Sequence, residues 1–350
     1  MQVTIKDIAR AAAVSVQTVS NVVNGRPVVR EETRARVLAI CRELNYTPNA
    51  AARSLVTGSR KMIGAVVPHI GNPLYGEVTT FLTRAARALG FSTLVGDTGW
   101  EPEAEMTLLR GLIGQGVDGV ILASTTVDGA GLRMVQDAGI PVVMLFNYPV
   151  PCTADSFRLD NAGAFRAITR HLIGLGHRRI AFARGLARSV STAREHGWRS
   201  ELTVHGLPAG DDLLAVSGFG QDGGYAAGTS LLSRADRPSA IVCSSDIIAC
   251  GVLDAAEDLG LRVPQDVAVT GCDDMFVAGM RRIRLTTLRY DHQALVRRAL
   301  DRLMDRIAGK VGADAEPITM STPCDLVIRD SCGMNARPPA KAPANPSNGS

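Results

Sequence analysis

The sequence predicts a small all-α helix-turn-helix head joined to an α/β body of two successive doubly wound parallel sheets. Three observations carry this. Residues 3–24 hold two short apolar runs at helical spacing, separated by a tight turn. From residue 62 the pattern changes to short branched apolar runs that alternate with helical stretches, as in a parallel sheet covered on both faces. That alternation then occurs a second time, which predicts two similar lobes with a cleft between them.

In the head, Thr4 opens a helix over 5–12, with Ile5, Ile8, Ala9 and Ala12 on one stripe. Ser15 is placed to cap a second helix by accepting a backbone N–H two or three residues on. Val19, Val22 and Val23 form that helix's apolar stripe, leaving Gln17, Thr18, Ser20, Asn21 and Asn24 on its open face. Small hydroxyl and amide side chains of this kind hydrogen-bond base edges and phosphates. The pattern alone also fits an amphipathic hairpin from any small bundle. Charge separates the two readings. Residues 1–60 carry nine Lys or Arg against four Asp or Glu, a net +5, whereas the whole chain nets +4. A basic head on a body of about −1 is the footprint of a phosphate-binding module.

The body elements follow in order. Strands are expected at 63–67, 93–95, 120–123 and 142–146, with helices at 76–89, 101–115 and 129–138 between them. The second unit has strands at 180–183, 213–216, 240–243 and 267–269, and helices at 162–175, 193–205, 223–233 and 247–259. In such sheets ligands bind at the carboxyl ends of the strands. Residues 333–350 are rich in Pro, Ala, Asn and Ser without apolar periodicity, and read as a disordered tail.

Composition bounds the rest. The 350 residues allow two or three domains, and 46% hydrophobic with 4% aromatic content predicts an aliphatic core. No apolar run reaches membrane-spanning length, and residues 1–10 lack the apolar region of a signal peptide. The chain is therefore expected in the cytoplasm, with no membrane partner. The seven cysteines are odd in number and form no C-x-x-C, which reads as small buried hydrophobes in a reducing compartment. His171 and His177 are not joined by ligands at metal spacing, and neither a nucleophile elbow nor a Walker A lysine is present, so no metal and no cofactor are expected. Gly218, Gly220 and Gly223 form a literal G-x-G-x-x-G after a strand and before a helix. That leaves a nicotinamide-dependent enzyme as one alternative. A sugar-binding protein of the transport type is another, since two lobes alone would allow it.

The strings "VTIKDIARAAAVSVQTVSNVVNG" and "ETRARVLAICRELNYTPNAAARSL" closely resemble the head of the LacI/GalR family of bacterial transcription regulators. "HLIGLGHRRIAF", "DIIACGVLDAAEDLGLRVPQDVAVTGCDD", "LTTLRYD" and "LVIRDSC" continue the resemblance through a periplasmic-binding-protein-like effector domain, to about Cys332. The resemblance implies domains at 1–60, 61–332 and 333–350, a third helix over 31–44, and a hinge helix over 49–56. In the hinge, Asn49, Ala52 and Leu55 match DNA contacts, and Leu55 matches the apolar wedge of the minor groove. Thr4, Ser15, Val16, Gln17, Thr18, Ser20, Asn21 and Asn24 complete the implied DNA face, with Val16 and Gln17 at the main specificity positions. For the effector it implies Arg194 in "TAREHGW", Asp273 in "GCDD" and Asp160 in "RLDN". Asn72, Phe219, Ser245, Asp246 and Tyr290 join them. It further implies lobes that exchange chain near 148–158, 285–290 and 317–324. The partners implied are two-fold operator DNA, a sugar-like small-molecule effector and a second copy of the chain. The output implied is repression. No leucine heptads follow residue 332, so a dimer rather than a tetramer is expected.

Three departures stand out. Ala13 replaces the usual turn glycine, so the turn must tolerate a Cβ. Asn21 replaces a common guanine-reading arginine. Ser245-Asp246 replaces Asn-Asp, which points to a different effector from the common hexoses and purines.

Overall fold

The computed structural model describes residues 3–46, 59–123, 129–146, 152–185, 189–218 and 220–333. The hinge expected at 49–56, with Asn49, Ala52 and Leu55, lies outside the described residues, as do Phe219 and the tail beyond 333. The chain divides into two compact units between Lys61 and Met62.

The first unit is three helices, α1 (Ile5–Ala11), α2 (Val16–Val23) and α3 (Glu31–Glu43). Ser15 caps α2 as its sequence position demands, its Oγ accepting from Thr18 N at 3.0 Å. Ile8, Ala12, Val19, Val22 and Val37 are buried together, with Ile5 and Val23 packed at the margin. Burying these aliphatic faces is what holds three short helices, since helices this short are marginal alone. The turn between α1 and α2 does accept a Cβ: Ala13 sits at φ +50°, a conformation glycine adopts without strain.

The second unit holds two six-stranded sheets. The first lobe is built from β1 (Met62–Val67), α4 (Pro73–Ala88), β2 (Ser92–Asp97), α5 (Pro102–Gln115), β3 (Gly119–Leu122), α6 (Ala130–Asp137), β4 (Val142–Leu145) and β5 (Asp155–Leu159). The second follows with α7 (Asn161–Gly174), β6 (Ile180–Arg184), α8 (Ser189–Val204), β7 (Leu214–Val216), α9 (Gln221–Leu232), β8 (Ala240–Cys243), α10 (Asp246–Asp258), β9 (Ala268–Cys272) and β10 (Thr286–Arg289). Then α11 (His292–Ile307) and β11 (Thr319–Thr322) return to the first lobe, and β12 (Asp325–Val327) to the second. The strand orders are β11-β5-β4-β3-β1-β2 and β12-β10-β9-β8-β6-β7. All pairings are parallel except β10 with β12. The fully buried β3, β4, β8 and β9 are the near-continuous apolar runs seen in the sequence.

One expectation shifts. The first exchange between lobes comes after Leu159, not within 148–158, because β5 pairs with β4 and β11 as a full member of the first sheet. In the glycine run only Gly223 is closely packed, whereas Gly218 and Gly220 have open space where a Cβ would stand. A Cβ on Gly223 would lie 2.7 Å from Gly218 N, and one on Gly224 2.1 Å from the Ile248 carbonyl. Gly251 answers from α10, where a Cβ would lie 2.0 Å from the Gln221 carbonyl. Gly224 and Gly251, both outside the run, bring α9 and α10 into backbone contact. Among the described residues no group of three metal-ligating side chains forms, and no helix is long and apolar enough to cross a membrane.

Candidate functional site

Two surfaces deserve the name, one on each unit. On the head, α2 projects Val16 and Gln17 into solvent, with Thr18, Ser20, Asn21 and Asn24 half-exposed. The polar side chains are pre-ordered one turn apart. Gln17 Nε2 donates to Asn21 Oδ1 at 3.2 Å, Asn24 Nδ2 to Ser20 Oγ at 3.3 Å, and Ser15 Oγ meets Thr18 Oγ1 at 2.9 Å. Thr4 is exposed and donates through both N and Oγ1 to Asp7 Oδ2, at 3.0 and 2.7 Å. Those two bonds hold the Asp7 carboxyl below its ordinary pKa. Lys6, Arg10, Arg26 and Arg30 are exposed around these helices. An exposed helix of amides and hydroxyls with basic neighbours is what major-groove docking requires.

On the body, a cavity of about 680 Å³, its open mouth included, lies where the carboxyl ends of both sheets face each other. The first lobe contributes Asn72, Leu74 and Tyr75 from the start of α4, Trp100 from beyond β2, Phe146 from beyond β4, and Leu159 from β5. The second contributes Val190, Ser191 and Arg194 from α8, Ser244 and Ser245 from beyond β8, and Asp273 and Tyr290 from beyond β9 and β10. Asn161 lies at the exchange between them.

Arg194 is the centre. Its Nε donates to Asn161 Oδ1 at 2.7 Å, its Nη1 to the Ser244 carbonyl, and its Nη2 to Tyr290 Oη at 3.2 Å. Nη2 also stands 3.9 Å from Asp273 Oδ1, and the guanidinium lies 5.5 Å from the Phe165 ring. Tyr290 Oη in turn donates to Asp273 Oδ1. Burial opposes the guanidinium charge, yet Cys272, Tyr290 and Asp273 around it raise the Arg194 pKa above its ordinary value. Burial pushes the Asp273 carboxyl up, with Arg194 and the Tyr290 hydroxyl pulling it back. The Tyr290 phenol is raised by burial and then by Asp273. The rim is strained: Trp100 at φ +66°, Phe146 at φ +59° and Asp273 at φ +115° all occupy backbone conformations that L residues rarely adopt. Such residues persist where surrounding structure over-determines them, as binding sites do.

The structure thus brings Asn72, Arg194, Ser245, Asp273 and Tyr290 to one cavity. Asn72 and Ser245 are also helix caps, accepting from Leu74 N at 3.0 Å and Ile248 N at 3.4 Å. It does not bring Asp160 or Asp246 to the lining. Asp160 is exposed and caps α7, accepting from Gly163 N at 2.9 Å. Asp246 is fully buried beneath the site, accepting from Met275 N at 2.8 Å and Thr287 Oγ1 at 2.5 Å. Tyr75, Trp100, Phe146, Asn161, Ser191 and Ser244 were not singled out from the sequence. Position just beyond a strand is the signal that finds Trp100, Phe146 and Ser244.

Similarity to known proteins accords with both surfaces. Residues 4–49 match the family "Bacterial regulatory proteins, lacI family", and residues 169–332 match a "Periplasmic binding protein-like domain". The catabolite control protein A of Priestia megaterium is 33% identical over 311 residues, which span 87% of this chain and 94% of that protein. A crystal structure of the Lac repressor dimer bound to operator and the anti-inducer ONPF superposes with a TM-score of 0.84 at 28% identity. It covers 95% of this chain and 99% of the other. A complex of the transcriptional regulator CelR with cellobiose is 30% identical with a TM-score of 0.72, covering 94% and 100% of the two chains. The chain belongs to the lacI family of bacterial regulatory proteins, and is a transcriptional repressor with a ligand-binding domain rather than an enzyme.

Proposed function

We propose that this repressor acts as a homodimer on two-fold operator DNA, and that a small sugar-like effector bound between the lobes sets its operator affinity. The observation that carries the reading is the buried Arg194–Tyr290–Asp273 cluster at the meeting of the two sheets. A rigid fork of donors beside a carboxylate suits hydroxyl-bearing ligands. The proposed chain plan is a DNA-binding head over 1–60 with a hinge at 49–56, an effector and dimerisation body over 61–332, and a tail over 333–350. Thr4, Ser15 to Thr18, Ser20, Asn21 and Asn24 form the proposed DNA face, with Asn49, Ala52 and Leu55 in the hinge. Asn72, Arg194, Ser245, Asp273 and Tyr290 form the effector face, with Phe219 added from sequence.

Two similar structures motivate the partners: one holds operator and an anti-inducer, the other cellobiose. A ligand that contacts both lobes changes their relative angle, and through the hinges the DNA-bound state. The test begins by enriching bound duplexes from a random DNA pool with the full chain. Anisotropy titrations with and without a sugar panel then follow, on wild type and Arg194→Ala. The expected result is a ligand-dependent change in DNA affinity that Arg194→Ala abolishes while its ligand-free affinity stays. A response that survives the substitution removes Arg194 from the site.

A further inference from the structure

The open face of α2 is bonded in pairs. Val16, Gln17, Ser20, Asn21 and Asn24 lie together on it, away from the buried Val19 and Val22. Two columns of this face are each closed by a bond one turn long: Gln17 Nε2 to Asn21 Oδ1 at 3.2 Å, and Asn24 Nδ2 to Ser20 Oγ at 3.3 Å. Ser15 and Thr18 spend their hydroxyls on each other and on the helix cap. No Arg or Lys stands on this face, so the common bidentate reader of guanine is missing from it.

A primary amide has one acceptor oxygen and two N–H donors. An adenine edge donates N6–H to the oxygen and accepts one N–H at N7. One N–H is left over, and one N–H is what Gln17 gives to Asn21. The bond takes nothing that adenine needs, and it restrains a side chain that would otherwise lose its freedom on binding DNA. Asn21 is the reverse case: its oxygen is engaged by Gln17, and it is half-exposed where Gln17 is exposed. Asn24 also keeps an oxygen and an N–H. It is the C-cap, however, about two turns from the helix start that meets base edges. Val16, 42% exposed, stands at that start beside Gln17 and offers methyl groups to the one apolar feature of a major-groove edge, the thymine methyl.

Resting on the reading of α2 as the DNA face, we propose that Gln17 reads the adenine of an A·T pair in each operator half-site. Asn21 is the positioning residue that holds the Gln17 amide, not a base reader. Base choice at this point of the operator is thereby set by two residues, of which one touches the base.

The experiment enriches bound duplexes from a random DNA pool with the full chain as wild type, Gln17→Ala, Asn21→Ala and Asn21→Asp. Alanine suits a helix at both open-face positions, so the head stays folded. Anisotropy then compares duplexes in which the pair relaxed by Gln17→Ala is A·T, G·C or 7-deazaadenine·T, the last lacking the N7 acceptor. Wild type is expected to bind the A·T duplex about 5- to 150-fold more tightly than the G·C one, and to lose affinity with 7-deazaadenine. Gln17→Ala should lose both preferences. Asn21→Ala should weaken them at the same pair and at no other. Asn21→Asp keeps an acceptor for Gln17 Nε2. It should bind every duplex more weakly, since it brings a carboxylate towards the phosphates, yet retain the preference for A·T. If Gln17→Ala relaxes no pair, or one that is not A·T, or if 7-deazaadenine costs wild type nothing, the adenine assignment is overturned and the DNA face stands. If Asn21→Ala relaxes a different pair, or leaves the preference whole, its positioning role is overturned. A wild-type pool with no enriched sequence overturns the DNA-face reading itself.

Discussion

At the scale of single residues, burial decides what each polar group can do. Asp246 is 0% exposed, and the strand-end turn that carries Asp273 is bonded to it through Met275 N. Burial first, and then the neighbouring Asp273, raise its carboxyl pKa well above the ordinary value. The folded protein therefore binds this proton more tightly than the unfolded chain. The associated stability is complete below about pH 3.8 and is lost as pH rises through the raised pKa. Asp246→Asn can keep an acceptor for Met275 N and removes the titration. Denaturation midpoints measured from pH 4 upward are expected to show wild type losing stability relative to the variant, by up to ~1.4 kcal/mol per pH unit. A difference independent of pH would show that Asp246 does not titrate there. The sequence put forward Arg194, Asp273 and Tyr290, and the structure gathers them in one cavity. The sequence could not separate Asp160 and Asp246 from them, because an acid after a strand reads alike whether it caps a helix, ties a turn or faces a ligand. Which it does depends on where the strand ends, and β5 runs through Leu159.

At the scale of elements, most of the alternating strands and helices of both lobes were readable from their apolar periods, but β5, β10, β11 and β12 were not assigned as strands, and neither was α11 as a helix. Its stripe of Leu295, Val296, Ala299, Leu300 and Leu303 was there to read, with Asp291 as its cap. It follows the second lobe in sequence yet packs on the first, and local pattern carries no such information. What docks it is electrostatic as well as apolar. Asp155 of β5, fully buried, accepts from Arg302 at 2.9 and 3.1 Å, from Arg306 at 2.5 Å and from Ile318 N at 2.8 Å. Burial raises its pKa, but the two guanidinium groups outweigh this and hold it below the ordinary value. Removing the carboxylate strands two partly buried cations, so Asp155→Ala is expected to cost about 3–5 kcal/mol. Wild type should lose this advantage as pH falls below about 4, since the folded pKa is the lower one. An equal deficit at pH 7 and pH 3 would show that packing, not charge, docks α11. In the second lobe the α9–α10 contact rests on absent side chains. Gly251→Ala places a Cβ 2.0 Å from the Gln221 carbonyl and 2.4 Å from Tyr225 N. Backbone cannot yield as a rotamer does, so a loss of at least about 2 kcal/mol in calorimetry is expected. A neutral result would mean that the two helices slide apart freely.

At the scale of the whole molecule, the chain is two compact units, and the proposed control of a DNA face on one by a cleft on the other is a coupling free energy. The body is suited to supply it. Its chain passes between lobes after β5, after β10 and after β11, and the cavity is lined by both lobes beside the first two of these passages. On the proposed reading, a ligand that contacts both lobes favours one angle between them over another. It can shift the equilibrium only by its differential affinity for the two. Coupling of this kind is typically ~1–3 kcal/mol, or about 5- to 150-fold in operator affinity. The proposed wedge offers a way to find where that energy is delivered. If the hinge transmits the signal by setting Leu55 into the minor groove, Leu55→Ala should weaken specific binding more than nonspecific binding. It should also reduce the effector-dependent change in affinity, while ligand binding to the cleft stays as in wild type. Anisotropy with an enriched duplex and with a scrambled one, each with and without effector, reads all three quantities. Equal loss on both duplexes would make Leu55 an ordinary packing residue. An effector response of full size in the variant would mean that the lobes act on DNA through the spacing of the heads rather than through the hinge.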